Sequence, residues 1–171
     1  MIRQTFILLA ISTVLGLAAN LLSPNRIPLI GAYRDLHSGS GPIVPPTAEA
    51  GDPPFIDVNT AQMEHSLGQS LFVDARNPEE FACGTIPSAI DIPFEQLPDG
   101  DLGPYLDSAL GKVAKDHRIV CFCSGEECDL SLHLARNLKQ LGYTQLAIFF
   151  GGAREWEKFG FAMERRKQCG N

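Results

Sequence analysis

Three of the chain's five cysteines fall within eight positions of the sequence, residues 121–128 (CFCSGEEC). The apolar run RIVCF enters this stretch and predicts a buried strand, and DLSLHLARNLKQL leaves it with the leucine spacing of a helix. Cysteines at a strand-to-helix turn can serve as a nucleophile, a disulfide, a redox pair or a metal site. Their spacing and surroundings must distinguish these four kinds of chemistry.

Cys123 is the predicted nucleophile, because it would stand at the carboxyl end of a parallel strand, where open α/β sheets bind their ligands. The loop after it curls into a helix N-terminus, whose N–H groups and dipole favour a thiolate over a thiol. We therefore expect the pKa of Cys123 to fall below the usual value of about 8.5. Cys121 is expected to be a small buried residue of the strand. Cys128 stays open between a helix-cap position and a resolving thiol.

The other cysteine chemistries fit the pattern less well. Zinc requires four close ligands, and the chain offers no second cysteine pair near its scattered histidines, so no metal is expected. The C-x-x-C spacing of thioredoxin-like proteins is absent. Cys83 and Cys169 are expected to play no role, with Cys169 on a frayed tail.

The elements that position this loop can be predicted from short apolar runs separated by helical segments. Thr60 is predicted to cap a helical turn that runs to Leu67, and Asp129 to cap the helix that Gly142 ends. Strands that alternate with helices predict an α/β fold with a mostly parallel sheet, flanked by helices on both faces. The predicted strands contain residues 55–56, 71–73, 89–92, 119–122 and 146–150.

The N-terminus predicts a membrane segment followed by a tether. Residues 5–22 carry no charge, and their length and apolar continuation favour a retained anchor over a cleaved signal peptide within residues 1–22. The short stretch before this run resembles that of a signal anchor and places the remainder outside the cytoplasm. Residues 23–54 are rich in proline and glycine, which predicts a linker. Residues 55–171 form the predicted domain.

The charge balance argues against nucleic acid as a partner. The 171 residues carry a net charge of -6, and no basic stripe is interleaved with aromatic residues. Phosphate backbones require basic surface, so nucleic-acid binding is excluded.

The segment from about Asp57 to Glu164 holds several motifs in a fixed order: Asp74-Ala75-Arg76, then Phe81, then Gly84-Thr85-Ile86-Pro87-Ser88-Ala89, the cysteine loop with Cys123, and Gly151-Gly152-x-x-x-Trp156. By this order and spacing the segment resembles a rhodanese-like domain. The resemblance implies a sulfurtransferase in which Cys123 carries sulfane sulfur as a persulfide, between a sulfur donor and a thiol acceptor that can be protein-borne. It implies no cofactor.

The resemblance also assigns roles to individual residues. The loop would bind substrate and cradle the persulfide anion through Ser124, Gly125, Glu126, Glu127 and Asp129. Cys128, where this loop departs from the basic or hydroxyl residue usual in the family, could resolve a Cys123 persulfide into a disulfide and release sulfide. Structural roles fall to Asp74, to Arg76, which could form a salt bridge with Glu80, and to Trp156.

The loop departs from the family pattern in its charge. Rhodanese loops are usually basic, whereas Glu126 and Glu127 bring two carboxylates that repel anions such as thiosulfate. We therefore expect a thiol-borne persulfide, or a partner protein with a cationic surface, to deliver the sulfur in place of thiosulfate. Two alternatives stay open: a dithiol/disulfide redox protein that uses Cys123 and Cys128, and a non-catalytic docking module tethered to the membrane. A phosphatase is disfavoured because its loop needs an arginine for the transition state.

Overall fold

A computed structural model describes residues 4–6, 12–13, 19 and 41–169. Its four strands form one parallel sheet in the order β2-β1-β3-β4: β1 (Leu71–Asp74), β2 (Ile90–Asp91), β3 (Ile119–Phe122) and β4 (Leu146–Phe149). The helices of the same domain are α1 (Val58–Leu67), α2 (Pro78–Cys83), α3 (Gly103–Ala109), α4 (Leu130–Gln140) and α5 (Gly152–Lys158). The predicted α/β architecture is confirmed.

Helices flank the sheet, and strands β3 and β4 are wholly apolar for that reason. All four residues of β3 and all four of β4 are buried, as expected where both faces of a sheet are covered. The core on one face joins alternate strand residues to apolar side chains of α1, α2 and α5, among them Phe72, Phe122, Phe149, Ala61, Phe81 and Trp156. Helix α4 packs on β3 and β4.

Local capping chemistry explains where the first two helices begin. Asp57 caps α1 by accepting a hydrogen bond from the Thr60 N–H at 2.7 Å, so the predicted cap at Thr60 is wrong by one turn. Asn77 caps α2 in the same way through the Glu80 N–H, and Pro78 follows at the first helical position.

The segment before the sheet is packed against the domain where the sequence predicts a tether. Arg136 on α4 donates two hydrogen bonds to Asp52, at 2.7 and 2.9 Å, and Ile43 is buried. Ile148 of β4 exchanges backbone hydrogen bonds with Pro54 and Ile56. The interpretation of residues 41–54 as an unpacked linker is therefore wrong, because these contacts hold them on α4 and β4. Residues 23–40 lie outside the described residues.

The predicted membrane anchor falls mostly outside the described residues. Of residues 5–22, the structure describes 5–6, 12–13 and 19, all in helical conformation. Among the described residues no helix has the length and apolar character needed to cross a membrane.

The C-terminal segment is held to α2 by a disulfide. Cys83 and Cys169 are bonded; their Cα atoms lie 5.5 Å apart, and the two residues are 86 positions apart in sequence. Thr85 and Glu164 exchange backbone hydrogen bonds, and the Arg166 and Lys167 N–H groups donate to the Ala82 carbonyl. The expectation that these two cysteines are incidental is wrong, because residues 164–169 fold back along α2.

Candidate active site

Cys123 directly follows β3, and the N-terminus of α5 holds its backbone in place. The Ala153 N–H donates to the Cys123 carbonyl at 2.9 Å, and the Arg154 N–H donates to the Ser124 carbonyl at 3.1 Å. Gly152 has a φ of 60°, and a Cβ there would lie 2.2 Å from the Cys123 oxygen. Only glycine permits this approach, so the Gly151-Gly152 pair fixes the cysteine loop.

The Cys123 sulfur is enclosed by the loop, since the residue is 0% exposed. Its Sγ lies 2.7 Å from the Cys128 carbonyl oxygen and 4.0 Å from that of Gly125. The Ser131 hydroxyl donates to it at 3.6 Å, and the Ser131 N–H points to it as well. Burial, with the neighbouring Cys128, raises the pKa of the Cys123 thiol. The predicted lowering of this pKa is therefore wrong for this arrangement of the loop.

The second sulfur of the loop is that of the half-buried Cys128. The groups that act on its pKa are the neighbouring Cys123 thiol, the backbone N–H groups of Ser124 and Leu130, and the Ser124 side chain. These groups, the Cys123 thiol foremost, lower the pKa of Cys128 to about 6. Backbone N–H groups thus act on both sulfurs: those of Ser124 and Leu130 on Cys128, and that of Ser131 on Cys123.

The remaining loop residues differ in what they present to solvent. Gly125 is buried, Ser124 and Asp129 are half-buried, and Glu126 and Glu127 are exposed. The Asp129 carboxylate makes no cap hydrogen bond to α4 and accepts one from the Thr47 hydroxyl at 3.0 Å. The two glutamates therefore place negative charge on the solvent side of the loop.

Cys121 is fully enclosed in β3. Burial raises the pKa of this thiol to about 12, so it stays protonated and unreactive at neutral pH.

A buried ion pair lies at the carboxyl end of β1, beside the loop. Arg76 binds Asp74 through two nitrogens, with Nε 2.9 Å from Oδ1 and Nη2 2.6 Å from Oδ2, and donates to the Gly84 carbonyl at 2.7 Å. The Thr85 hydroxyl donates to the same carboxylate at 2.8 Å. The salt bridge of Arg76 is thus made with Asp74 and not with Glu80, whose carboxylate accepts from the Asn77 side chain.

Trp156 anchors α5 to the core below the loop. Its indole N–H donates to the Ala162 carbonyl at 2.9 Å, and its ring packs against four other rings, those of His65, Phe72, Phe149 and Phe161. Through α5, this packing supports the N–H groups that hold Cys123 and Ser124.

Two residues near the sulfurs were not singled out from the sequence. Ser131 is fully buried on the inner face of α4, where an apolar residue would be the usual choice. A serine on the core-facing side of a leucine-rich helix is a sequence signal that could have identified Ser131 as a candidate site residue. The Arg154 side chain lies against Gly125 and brings a cation from α5 to the loop, which no local pattern reveals.

Arg154 also lines a cleft of about 370 Å³ next to the loop. The cleft carries charges of both signs, from Arg76, Arg154, Arg165, Glu79, Glu80 and Glu157. Such a lining suits a small molecule or peptide that carries both an amine and a carboxylate. In the part of the chain that the structure describes, no group of three or more histidine, cysteine or acidic side chains is placed to hold a metal ion.

Comparison with known proteins relates this site to sulfur chemistry. Residues 56–159 match the family model of the rhodanese-like domain. A human thiosulfate:glutathione sulfurtransferase is 36% identical over 95 residues, which are 52% of this chain and 80% of the relative. A sulfurtransferase of Allochromatium vinosum is 31% identical over 91 residues, 53% of this chain and 74% of the relative.

The fold agrees with the sequence match. The structure of a human single-domain sulfurtransferase superposes with a TM-score of 0.50 at 26% identity, covering 63% of this chain and 97% of the other. Residues 56–159, which match the family model, contain the sheet, the cysteine loop and α5. The chain therefore belongs to the rhodanese-like domain family.

Proposed function

We propose that this protein is a sulfurtransferase that carries sulfane sulfur as a persulfide on the Cys123/Cys128 pair. The observation that carries the proposal is a pair of free cysteines, Cys123 and Cys128, in the loop at the carboxyl end of β3 in a rhodanese-like chain. A thiolate of the pair attacks the outer sulfur of a donor persulfide, and an acceptor thiol then removes that sulfur, a two-step covalent cycle. Sequence reasoning assigns the persulfide to Cys123, with the loop residues 124–127 and Asp129 around it.

A thiol-borne persulfide is the proposed donor. The human relative is named for thiosulfate, but Glu126 and Glu127 expose two carboxylates beside the sulfurs. They repel a dianion, and Arg154 offsets only part of that charge. The mixed-charge cleft lined by Arg154 and Glu157 suits an amine- and carboxylate-bearing thiol as acceptor.

Mass spectrometry of the intact chain tests the proposal. After incubation with cysteine persulfide, the protein should gain the mass of one sulfur atom, or form an internal disulfide with release of sulfide. A thiol acceptor should then regenerate the starting mass. The Cys123→Ser/Cys128→Ser variant should show neither change, whereas Cys121→Ala, in the same strand, should behave as the parent. Sulfur uptake that survives in the double variant would refute the proposal.

A dithiol/disulfide couple is the second candidate, because both cysteines are free and the Cys123 Sγ lies 2.7 Å from the Cys128 carbonyl oxygen. This candidate predicts reversible disulfide formation in glutathione buffers without consumption of any sulfur donor. Donor-dependent turnover separates the two functions.

An extracytoplasmic location is also proposed, with residues 5–22 as the anchor. The Cys83–Cys169 disulfide supports it, because structural disulfides persist in oxidising compartments. Protease treatment of sealed membrane vesicles of known orientation tests the location, and full protection of the domain in right-side-out vesicles would contradict it.

A further inference from the structure

The C-terminal segment, residues 164–169, lies along one side of the mixed-charge cleft, and a disulfide ties its end to α2. We propose that the Cys83–Cys169 disulfide is a thiol-sensitive latch. When a small thiol reduces it, residues 165–169 detach from the domain and the cleft loses a cation. The consequence, weaker binding of carboxylate-bearing thiols, rests on the proposed sulfur transfer.

The segment forms a wall of the cleft. A Cβ placed on Gly84 would lie 3.4 Å from the Met163 Cε and 3.7 Å from the Arg165 Cγ, so the chain runs directly over the end of α2. Met163, Arg165 and Cys83 all line the cleft. Arg165 also pairs with Glu157 of α5, so it connects the segment to the helix on the far side of the cleft. Detaching the segment would therefore open the cleft on this side.

The other contacts of residues 165–169 are mostly polar and exposed. The N–H groups of Arg166 and Lys167 share one acceptor, the Ala82 carbonyl, at 2.9 Å each. The Arg166 guanidinium lies over the Phe81 ring, 4.6 Å from its centroid. All five residues of this stretch are exposed. Such contacts stabilise a chain end only slightly, and a chain end frays unless it is tied down, so the disulfide is what keeps the segment in place.

A thiol can reach the latch, because Cys169 is exposed and Cys83 is half-buried at the cleft. Exposed disulfides are the labile ones in thiol–disulfide exchange. A thiolate R–S⁻ attacks the Cys169 sulfur, the S–S bond breaks, and Cys83 leaves as a thiolate that takes up a proton. A second R–S⁻ attacks the R sulfur of the mixed disulfide, which releases Cys169 and forms R–S–S–R. The disulfide gains the two electrons that the two thiols lose.

Opening the latch changes the charge of the cleft. The lining holds three arginines and three glutamates: Arg76, Arg154, Arg165, Glu79, Glu80 and Glu157. Arg165 belongs to the part that detaches, and its departure leaves Glu157 without this partner. The lining then becomes more negative, which disfavours an anion. An excess of thiol would therefore lower the affinity of the cleft for a carboxylate-bearing acceptor.

Tryptic cleavage of the folded chain tests the latch without any sulfur donor. Trypsin cleaves after Arg165, Arg166 and Lys167 only when the surrounding chain is detached and extended. After treatment with millimolar reduced glutathione, cleavage at these positions should be at least about tenfold faster than before. Cleavage after Arg136, within α4, should stay slow in both states. The Cys83→Ser/Cys169→Ser variant should be cleaved at the fast rate with or without thiol.

Three results would overturn the latch. The first is equal cleavage of the parent chain before and after glutathione. The second is a disulfide that survives the treatment, seen as two cysteines that iodoacetamide does not modify in the denatured chain. The third is parallel acceleration after Arg136, which would show general unfolding. None of these depends on the serine variant folding.

A carboxylate that cannot reduce a disulfide tests the consequence for binding. The probe is (methylthio)acetate, and its Kd should rise at least about threefold in the reduced chain and in oxidised Arg165→Met, with a smaller rise at high salt. Lys158→Met, which removes a cation of α5 outside the cleft lining, should bind as the parent. An unchanged Kd after reduction, or no binding to the oxidised chain, overturns this consequence.

Sulfur uptake from cysteine persulfide, measured in parallel, separates the two proposals. Absence of uptake in a parent chain whose latch responds as expected overturns sulfur transfer. Normal uptake with equal tryptic rates overturns the latch alone.

Discussion

Breaking the buried pair of Arg76 and Asp74 should strongly destabilise the domain. Replacing Arg76 with methionine keeps a long apolar side chain but removes the guanidinium. The Asp74 carboxylate, which is 0% exposed, would keep the Thr85 hydroxyl and one backbone N–H as donors. It would lose its counter-charge and three hydrogen bonds from the arginine side chain.

The expected size of the effect follows from this burial. Leaving one partner of a buried ion pair unpaired costs about 3–5 kcal/mol, because the remaining charge has neither water nor a counter-ion. The Gly84 carbonyl also loses the arginine donor. We therefore expect Arg76→Met to lower the free energy of unfolding by about 3–5 kcal/mol, a large part of the 5–15 kcal/mol typical of whole proteins.

Urea denaturation of the purified chain measures this loss, with Arg165→Met as the matched control. Arg165 pairs with Glu157 at the surface, where the two side chains are 53% and 55% exposed. An exposed pair of this kind contributes about 0–1 kcal/mol, so the control should remain close to the parent. The same chemical substitution is thereby compared at a buried site and at an exposed site.

A double variant tests the physical reason. In Arg76→Met/Asp74→Asn the buried charge is gone on both sides, so most of the lost stability should return. If the double variant is as unstable as Arg76→Met, the loss does not come from an unpaired carboxylate. If Arg76→Met falls within about 1 kcal/mol of Arg165→Met, the reasoning from burial is refuted.

Three further predictions concern the thiols and the loop charge. Because its pKa is lowered to about 6, Cys128 is mostly thiolate at pH 7 and protonates as the pH falls through that value. Its alkylation rate should therefore drop about tenfold between pH 7 and pH 5, and a flat profile would contradict the lowered pKa of Cys128. The Cys83→Ser/Cys169→Ser variant should unfold at a lower urea concentration and lose about 2–4 kcal/mol of unfolding free energy, because the disulfide no longer restricts the unfolded chain. An unchanged urea midpoint would show that the disulfide contributes nothing to stability. Glu126→Gln and Glu127→Gln should each raise kcat/KM for thiosulfate roughly fivefold at low ionic strength, and less in 1 M salt. A gain that does not depend on salt would rule out charge repulsion as the cause.

Local patterns in the sequence were enough to predict the sheet and the place of the site. The apolar runs at residues 71–73, 119–122 and 146–150 match β1, β3 and β4 to within a residue or two. Burial on both faces leaves such strands continuously apolar, and this signal survives in a single sequence. The helix start after Asp129 and the location of Cys123 at the end of β3 follow from the same pattern.

Those local patterns could not predict contacts between residues that are distant in sequence. Asp52 and Arg136 are 84 positions apart, and Cys83 and Cys169 are 86 apart. Proline and glycine content predicted a tether for residues 41–54 because composition reports the cost of ordering a segment, not the surface available to hold it. Arg136, on a helix distant in sequence, binds Asp52 and holds this segment on the domain, which composition alone does not reveal.

The sequence by itself determined that a cysteine loop follows a buried parallel strand in a rhodanese-like domain. Only the tertiary structure decided which sulfur of that loop is enclosed and which N–H groups lie near each sulfur. The directions of those groups depend on the path of the loop, and the loop is held by the N-terminus of α5, about 30 residues further along the chain, through the close approach of Gly152 to the Cys123 carbonyl. Spacing fixes which residues are neighbours along the chain, but the charge on a thiol depends on which atoms surround it in space.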